Sequence, residues 1–325
     1  MKTIAWQDAL EKIQADVKLA EAELKQLIAS KIQLVDQVNR HTFEAGGKRL
    51  RPAFVILCAK ASGWSGDLGR VLRLASCLEM IHMATLIHDD VIDHAANRRG
   101  RPTAATVFGN TAAILSGDVL LAKSMSILAA DGDLKIIRTV SAAVEEMAQG
   151  EAWEVAIRSD YDLPIDDYLK VLRMKTAAFV ECCCQVGAMA SGSDPTQLGN
   201  YGHHLGMAFQ IIDDLLDYRG NPDETGKPLA TDFREGCMTL PLALLRDRLE
   251  GEEGDFVRNR FGANPSDDEI AMICSWMDHR NCFEEAQKIA LEHCEKARDA
   301  LLTLPASQYR DLLEAVVGFV IERDK

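Results

Sequence analysis

The amino-acid sequence predicts an all-α protein, and three features carry the prediction. Apolar residues recur with helical spacing over almost the whole chain, whereas the alternation of a half-buried strand is nearly absent. Ala, Leu, Ile, Met and Glu are abundant and only 9 prolines are present, a balance that favours helix over strand. Turn-forming residues fall between the periodic stretches, at Gly46-Gly47, Gly63, Gly100 with Pro102, Gly132, Pro164, Asn221-Pro222, Pro265 and Pro305.

Taken in order, the periodicity places helices over about 6–38, 50–62, 68–95, 103–109, 111–130, 134–150, 165–191, 195–218, 238–250, 267–277, 281–303 and 307–323. The first is amphipathic and polar. The second starts close to Pro52, a residue suited to a first helical turn. The third is almost wholly apolar from Leu78 to Ile87, so it belongs in a core. No fixed-period repeat or low-complexity linker divides the chain. The expectation is one domain, 1–325, with long central helices arranged as a bundle.

At 325 residues, 47% hydrophobic and 26% charged, the chain has a globular composition. A formal charge of -14 repels phosphate backbones and argues against a general nucleic-acid role. The 9 cysteines include the run Cys182-Cys183-Cys184 but no CxxC pair, which suits small core residues in a reducing cytoplasm. The N-terminal segment lacks the apolar stretch of a signal peptide. No uninterrupted apolar run approaches the roughly 18 residues of a membrane span.

Two aspartate triads of the form DDxxD stand out. Asp89, Asp90 and Asp93 end the apolar third helix, and Asp213, Asp214 and Asp217 end another apolar helical stretch. Residues three and four apart share a helix face, so each triad gathers its carboxylates on one side. Carboxylates at the end of a core helix are strongly unfavourable without cations. Oxygen ligands without Cys or His partners suit Mg²⁺, which keeps water and bridges substrate phosphates. The two sites could face each other across a cavity and hold a diphosphate between them.

Basic residues flank both triads. Gly46-Gly47-Lys48-Arg49-Leu50-Arg51-Pro52 is a glycine turn running into a basic stretch, and Arg98, Arg99 and Arg101 lie just beyond the first triad. Lys175-Thr176 falls inside a helix, and Gly226-Lys227 follows the second triad. Arg grips phosphate bidentately and Lys acts as a point charge. An acidic protein with cations beside both acid clusters is suited to polyanions that arrive with metals.

The ordered set GGKRLRP at 46–52, IHMATLIHDDVID at 81–93, RRGRPT at 98–103, GDVLLA at 117–122, KTA at 175–177, FQIIDDLLD at 209–217 and GKPLATD at 226–232 resembles the trans-prenyl diphosphate synthases, the polyprenyl synthetases. The resemblance covers nearly the whole chain. It implies the all-α isoprenoid synthase bundle around a central cavity, a cytoplasmic homodimer, and head-to-tail (1'-4) condensation of isopentenyl diphosphate with an allylic diphosphate, farnesyl diphosphate being the expected primer. Three Mg²⁺ ions would bridge the aspartates and the allylic diphosphate, served by Asp89, Asp90, Asp93, Asp213 and Asp214, with Asp217 at longer range. Arg98, Lys175 and Lys227 would hold the allylic diphosphate. Lys48, Arg51, His82 and Arg99 would hold that of isopentenyl diphosphate. Thr176 and Gln210, with Lys175, would act at the reacting centre. His82 alone on an apolar helix would be read as a core histidine; its place seven residues before Asp89 matches the family motif. His88 and His94 are left structural.

Cys237 stands where the family usually has Lys, and Ala230-Thr231 replace a Gly and a basic or small residue. Product length would be set one turn before the first triad, where side chains share its face. Ala84 and Thr85 are small there, which leaves the floor open and predicts a product of about thirty carbons or more, suited to a quinone side chain, with transient membrane contact for its release. Met80, Ile81, Leu121 and Met125 are deeper stops. The alternatives are a shorter-chain synthase making farnesyl or geranylgeranyl diphosphate, and a non-catalytic subunit of a heteromeric synthase. A head-to-head synthase or a cyclase would share the aspartates but would not need the basic segment at 46–52.

Overall fold

The structure, a computed structural model, describes residues 6–220 and 229–322. It is helical almost throughout, as the periodicity requires. The helices are α1 (Trp6–Leu27), α2 (Gln33–Glu44), α3 (Leu50–Ala61), α4 (Gly69–Ile92), α5 (Ala104–Phe108), α6 (Asn110–Asp131), α7 (Leu134–Ile157), α8 (Ile165–Leu172), α9 (Ala178–Ala190), α10 (Thr196–Arg219), α11 (Thr231–Glu235), α12 (Leu240–Arg246), α13 (Gly251–Arg260), α14 (Asp267–His279), α15 (Cys282–Leu302) and α16 (Gln308–Glu322). A π-helical turn, Arg173–Ala177, joins α8 to α9. The one sheet among the described residues is a hairpin, β1 (Asn97–Arg98) and β2 (Arg101–Pro102), with Asn97 opposite Pro102 and Arg98 opposite Arg101.

The chain packs as two compact units. One takes the chain up to Ser141 with Cys183–Leu198 and Leu304–Leu313; the other takes Ala142–Cys182, Gly199–Thr303 and the chain from Glu314 onward. In the first unit α4 is the central element, packed by α1, α3 and α6. Its middle is buried nearly all round, as its mostly apolar sequence demands. Each fully buried Leu, Ile or Met contributes about 1.5–3 kcal/mol. Of its polar interruptions, Ser76 is satisfied, its Oγ donating to the carbonyl of Ala20 (2.9 Å). In the second unit α12, with Pro241 in its first turn, packs on α8, α14 and α15. A reciprocal cap between Ser266 and Glu269 starts α14.

Four departures from the expected elements have physical causes. The helix expected over 6–38 is interrupted between α1 and α2, although no Gly or Pro stands there. The last carbonyls of α1 are taken up by side chains instead: Asn39 Nδ2 donates to Ile28 O (2.8 Å) and Lys123 Nζ to Leu27 O (3.0 Å), while Ser30 N donates to Asp36 Oδ1 (3.1 Å). The stretch expected at 165–191 is divided by the π turn. The helix expected at 238–250 ends at Arg246, and α13 follows from Gly251, where glycines at 251 and 254 suggest a loop. The hairpin at 97–102 sits just after the helix expected to 95, which ends at Ile92.

By length and composition, α4 and α6 could each cross a membrane; 67% of the apolar window is buried in α4 and 39% in α6. The cysteines form no disulfide among the described residues, and Cys182, Cys183 and Cys184 are buried.

Candidate functional site

Each unit carries one of the triads. In the first, α4 delivers Asp89 and Asp90 from its last turn, and Asp93 caps it. Asp90 is buried and accepts from Arg98 Nε at 2.6 Å; Asp89 is half-buried and Asp93 exposed. The hairpin that supplies Arg98 and Arg99 is tied to the segment after α2. Arg99 Nη1 donates to Gly46 O, Arg101 Nη1 to Glu44 O (3.0 Å), and a His41 ring nitrogen meets Pro102 O (2.8 Å). Gly47 suits this crossing by its φ of +152, which L side chains rarely adopt, and its missing Cβ leaves room for Arg99 Nη1.

These ties gather cations around His82. Burial pushes its imidazole well below the usual range, and the charges of Arg51, Arg99, Arg98 and Arg49 push it further. A neutral imidazole within electrostatic reach of four guanidinium groups is a candidate anion site. The structure therefore brings His82, Arg51, Arg98 and Arg99 into one electrostatic neighbourhood, with Lys48 exposed beside them. Arg49 and Glu79, singled out by no motif reading, belong to the same cluster: Arg49 Nη1 donates to Glu79 Oε1 at 3.1 Å.

The second unit has the opposite balance. Asp214 ends a chain of polar contacts. Thr176 Oγ1 donates to Gln210 Oε1 (3.0 Å), Gln210 Nε2 donates to Asp214 Oδ1 (3.0 Å), and Tyr168 OH donates to Asp214 Oδ2 (2.6 Å). Burial raises the Asp214 carboxyl; the two hydrogen bonds oppose the rise, the charges of Asp213 and Asp217 add to it, and it comes to about 7. Burial, with Asp214, Asp217, Glu154 and Glu235, also pushes Asp232 well above the carboxylate range. Asp217 has a different part. Its two oxygens accept the backbone N–H groups of Thr231 (3.1 Å) and Asp232 (3.0 Å), so it caps α11 and pins the chain that follows.

Lys175 projects from the π turn, a geometry frequent at functional sites. Its ammonium meets Glu151 Oε2 at 3.0 Å and Glu154 Oε2. Burial works against its charge, but Glu154 and Glu151 outweigh burial and hold it above its ordinary range. The turn lies close against α7 because Gly150 lacks a side chain; a Cβ there would stand 3.0 Å from Lys175 N. Cys237 is half-buried, and burial, with Glu154 and Asp232, pushes its thiol up to about 12. It is thus neutral where a lysine would have added a charge. Lys227 lies outside the described residues.

The chain-length candidates separate. Met80, Ile81 and Ala84 are fully buried, and Met80 and Ala84 join the apolar cluster of Leu24, Ile28, Met83 and Leu120, against which Leu121 packs. Thr85 is half-buried and donates to His82 O (2.9 Å), whereas Met125 is exposed.

The second triad fits a hard divalent cation by its chemistry. Asp214 and Asp232, raised first by burial, each feel the other carboxylates, Asp213 and Asp217 at Asp214 and Asp214, Asp217 and Glu154 at Asp232, and all of these offer only oxygen. Among the described residues no group of three or more His, Cys, Asp or Glu side chains is gathered to hold an ion alone. That suits Mg²⁺, which takes one or two carboxylates and completes its shell with water and phosphate.

A sequence family model described as polyprenyl synthetase matches residues 32–277. The all-trans-nonaprenyl-diphosphate synthase (geranyl-diphosphate specific) of Rhodobacter capsulatus is 34% identical over 319 residues, covering 98% of either chain. The crystal structure of a decaprenyl diphosphate synthase from the same organism superposes with a TM-score of 0.92 at 32% identity, covering 98% of this chain and 99% of the other. A polyprenyl synthase from Caulobacter crescentus, solved with calcium and isoprenyl diphosphate, gives a TM-score of 0.92 at 29% identity over 100% of both chains.

Proposed function

The chain belongs to the polyprenyl synthetase family, and from that premise we propose that it condenses isopentenyl diphosphate head-to-tail with an allylic diphosphate to make a long all-trans polyprenyl diphosphate of about thirty carbons or more, for a quinone side chain. The observation that carries this reading is the ring of Arg49, Arg51, Arg98 and Arg99 around a neutral His82, beside the buried Asp90. A cyclase has no second diphosphate to hold and needs no such cluster.

In this reading Lys48, Arg51, His82 and Arg99 bind the diphosphate of isopentenyl diphosphate. Arg98, Lys175 and Lys227 bind the allylic diphosphate. Asp89, Asp90, Asp93, Asp213 and Asp214 hold Mg²⁺, three ions in all; Asp217 acts on the metals only through the loop that it pins. Mg²⁺, when bound, supplies the positive charge that stabilises the departing diphosphate. The allylic C–O bond breaks with its electron pair going to the leaving diphosphate, and an allylic cation remains. The isopentenyl double bond attacks it, and the released diphosphate takes the proton lost from the new chain. Thr176 donates its proton to Gln210, which leaves the hydroxyl lone pairs to face the cation. Lys175, held by Glu151 and Glu154, keeps a fixed positive charge for the leaving group.

The small Ala84 and the half-buried Thr85 support an open floor for chain growth, with Met80, Ile81 and Leu121 deeper in the same unit. The exposed apolar side chains of Ile114, Leu115 and Met125 on α6 support a homodimer. The protein works in the cytoplasm as a single polyprenyl synthetase domain and meets the membrane only when its product leaves. Farnesyl diphosphate is the primer. Purified protein given radiolabelled isopentenyl diphosphate, Mg²⁺ and either farnesyl or geranyl diphosphate should yield products of about thirty carbons or more. No elongation with either primer would sink the activity, and a main product of fifteen or twenty carbons would sink the open floor.

A further inference from the structure

Arg49 stands inside the basic run 48–51 yet is buried. Its backbone lies in the left-handed region (φ +49), which a residue with a side chain adopts when its surroundings hold it there. The hold is specific. Nε donates to Glu21 Oε1 (2.9 Å), Nη1 to Glu79 Oε1 (3.1 Å) and Nη2 to Phe43 O (3.1 Å), and the guanidinium lies 4.7 Å over the Phe43 ring. Glu21 is partly exposed, whereas Glu79 is 4% exposed within the most apolar stretch of α4.

Glu79 is poorly explained as a device for stability. Replacing a buried ion pair with apolar side chains of similar volume is often neutral or favourable. Its second oxygen, Oε2, is moreover buried and accepts no hydrogen bond from any described residue. That oxygen belongs to a charge that both Arg51 and Arg99 feel. One turn along α4 from Glu79 stands His82, the residue those arginines surround.

We propose that Glu79 is a positioning residue for the isopentenyl diphosphate site. By holding Arg49 inward, it sets the turn before α3 so that Lys48 and Arg51, on either side, are presented to one diphosphate. Its second oxygen is the counter-charge that lets Arg51 and Arg99 crowd around His82 before an anion arrives. The basic run then divides its labour: Lys48 and Arg51 bind, and Arg49 anchors. This inference rests on reading the cluster as the site of isopentenyl diphosphate.

The site is built from cations, so its binding is measured without metal, by calorimetric titration of isopentenyl diphosphate into the full-length protein in chelator, alongside steady-state kinetics. Glu79→Gln should raise the Kd and KM for isopentenyl diphosphate about tenfold and leave kcat and the KM for farnesyl diphosphate within about twofold. The double variant Arg49→Met/Glu79→Met, which fills the pocket with apolar atoms, should melt within a few degrees of the wild type and still lose the same binding. A double variant that binds like the wild type would overturn the proposal, as would a Glu79→Gln protein whose two KM values rise together. Wild-type protein that fails to bind isopentenyl diphosphate would overturn the underlying site assignment, and with it the role of Glu79; a loss confined to the variants supports both.

Discussion

The two charged clusters are near opposites. In the first unit Arg49 pairs with the buried Glu79, whose charge also reaches Arg51 and Arg99, and the triad's own buried Asp90 is paired with Arg98. In the second unit Lys175 meets two glutamates, Glu151 and Glu154, and the hydrogen bonds that the triad's Asp214 accepts among the described residues come from the neutral Tyr168 and Gln210. Two triads of identical spelling thus stand in different electrostatic states. The first is compensated by protein. In the second, the buried Asp214 is held by neutral donors.

Matched substitutions should break or confirm that contrast. Asp214→Asn removes a repelled charge, and Tyr168 OH can turn to accept from the new amide, so the metal-free protein should melt no lower than the wild type while kcat falls on the order of 10²–10³-fold. Asp90→Asn should lower kcat similarly but also destabilise the protein by about 2 kcal/mol, because Arg98 loses its partner. If both variants melt alike, the triads are electrostatically equivalent and the contrast fails.

Lys175→Met is the next largest. It leaves Glu151 and Glu154 without their counter-charge and should cost about 2 kcal/mol in a urea melt, less than a fully buried pair because Lys175 keeps some solvent. Glu151→Gln/Glu154→Gln in the same background should recover most of that stability but none of the activity. Asp217→Asn should act on the loop: it weakens the cap on α11 and costs about 1 kcal/mol, with a fall in kcat well short of that for Asp214→Asn.

The smallest effect is the pH dependence contributed by a histidine pair in the second unit. His204 Nδ1 lies 3.0 Å from His293 Nδ1. Burial brings both rings down to about 4, helped by His203, His293 and Lys296 at His204 and by Lys296 and His203 at His293. The unfolded chain then takes up protons between about pH 6.5 and pH 4 that the folded chain refuses, so stability is present above that window and declines as pH falls through it. Asp214 and Asp232 take up protons in the folded state over the same range and oppose this decline. The histidine pair is therefore read from a difference: the melting temperature of His293→Asn minus that of the wild type should rise by a few degrees as pH falls from about 6.5 to about 4.

Much of this was legible in the order of residues. The triads announced themselves because helical spacing alone puts Asp89 with Asp93 and Asp213 with Asp217 on one face; the segment 46–52, a basic loop of a kind that is commonly just exposed, gained its meaning from its place in the ordered set of motifs. Spacing could not reveal who neutralises whom. Glu79 reads as one acid in an apolar helix, Glu151 and Glu154 as a solvated face, and Tyr168 as core; each acquires its part only from a partner 21 to 46 residues away. Asp217 matches its motif as well as Asp214 does, yet its oxygens are committed to the backbone of α11. The end of α1 was equally hidden, since side chains of Asn39 and Lys123 stop that helix where no Gly or Pro does.

The π turn at Arg173–Ala177 has a consequence for how this segment can change. Such a turn holds one residue more than the α-helix would need, so a one-codon deletion inside it would restore an unbroken helix. Side chains beyond the turn would keep their facing, because the turn absorbs the extra residue, but Lys175 and Thr176, which the turn itself projects, would be re-aimed. Substitutions could tune Lys175 and Thr176, but a single lost codon would carry Thr176 away from Gln210 at a stroke. The segment is therefore tolerant of spelling and intolerant of length.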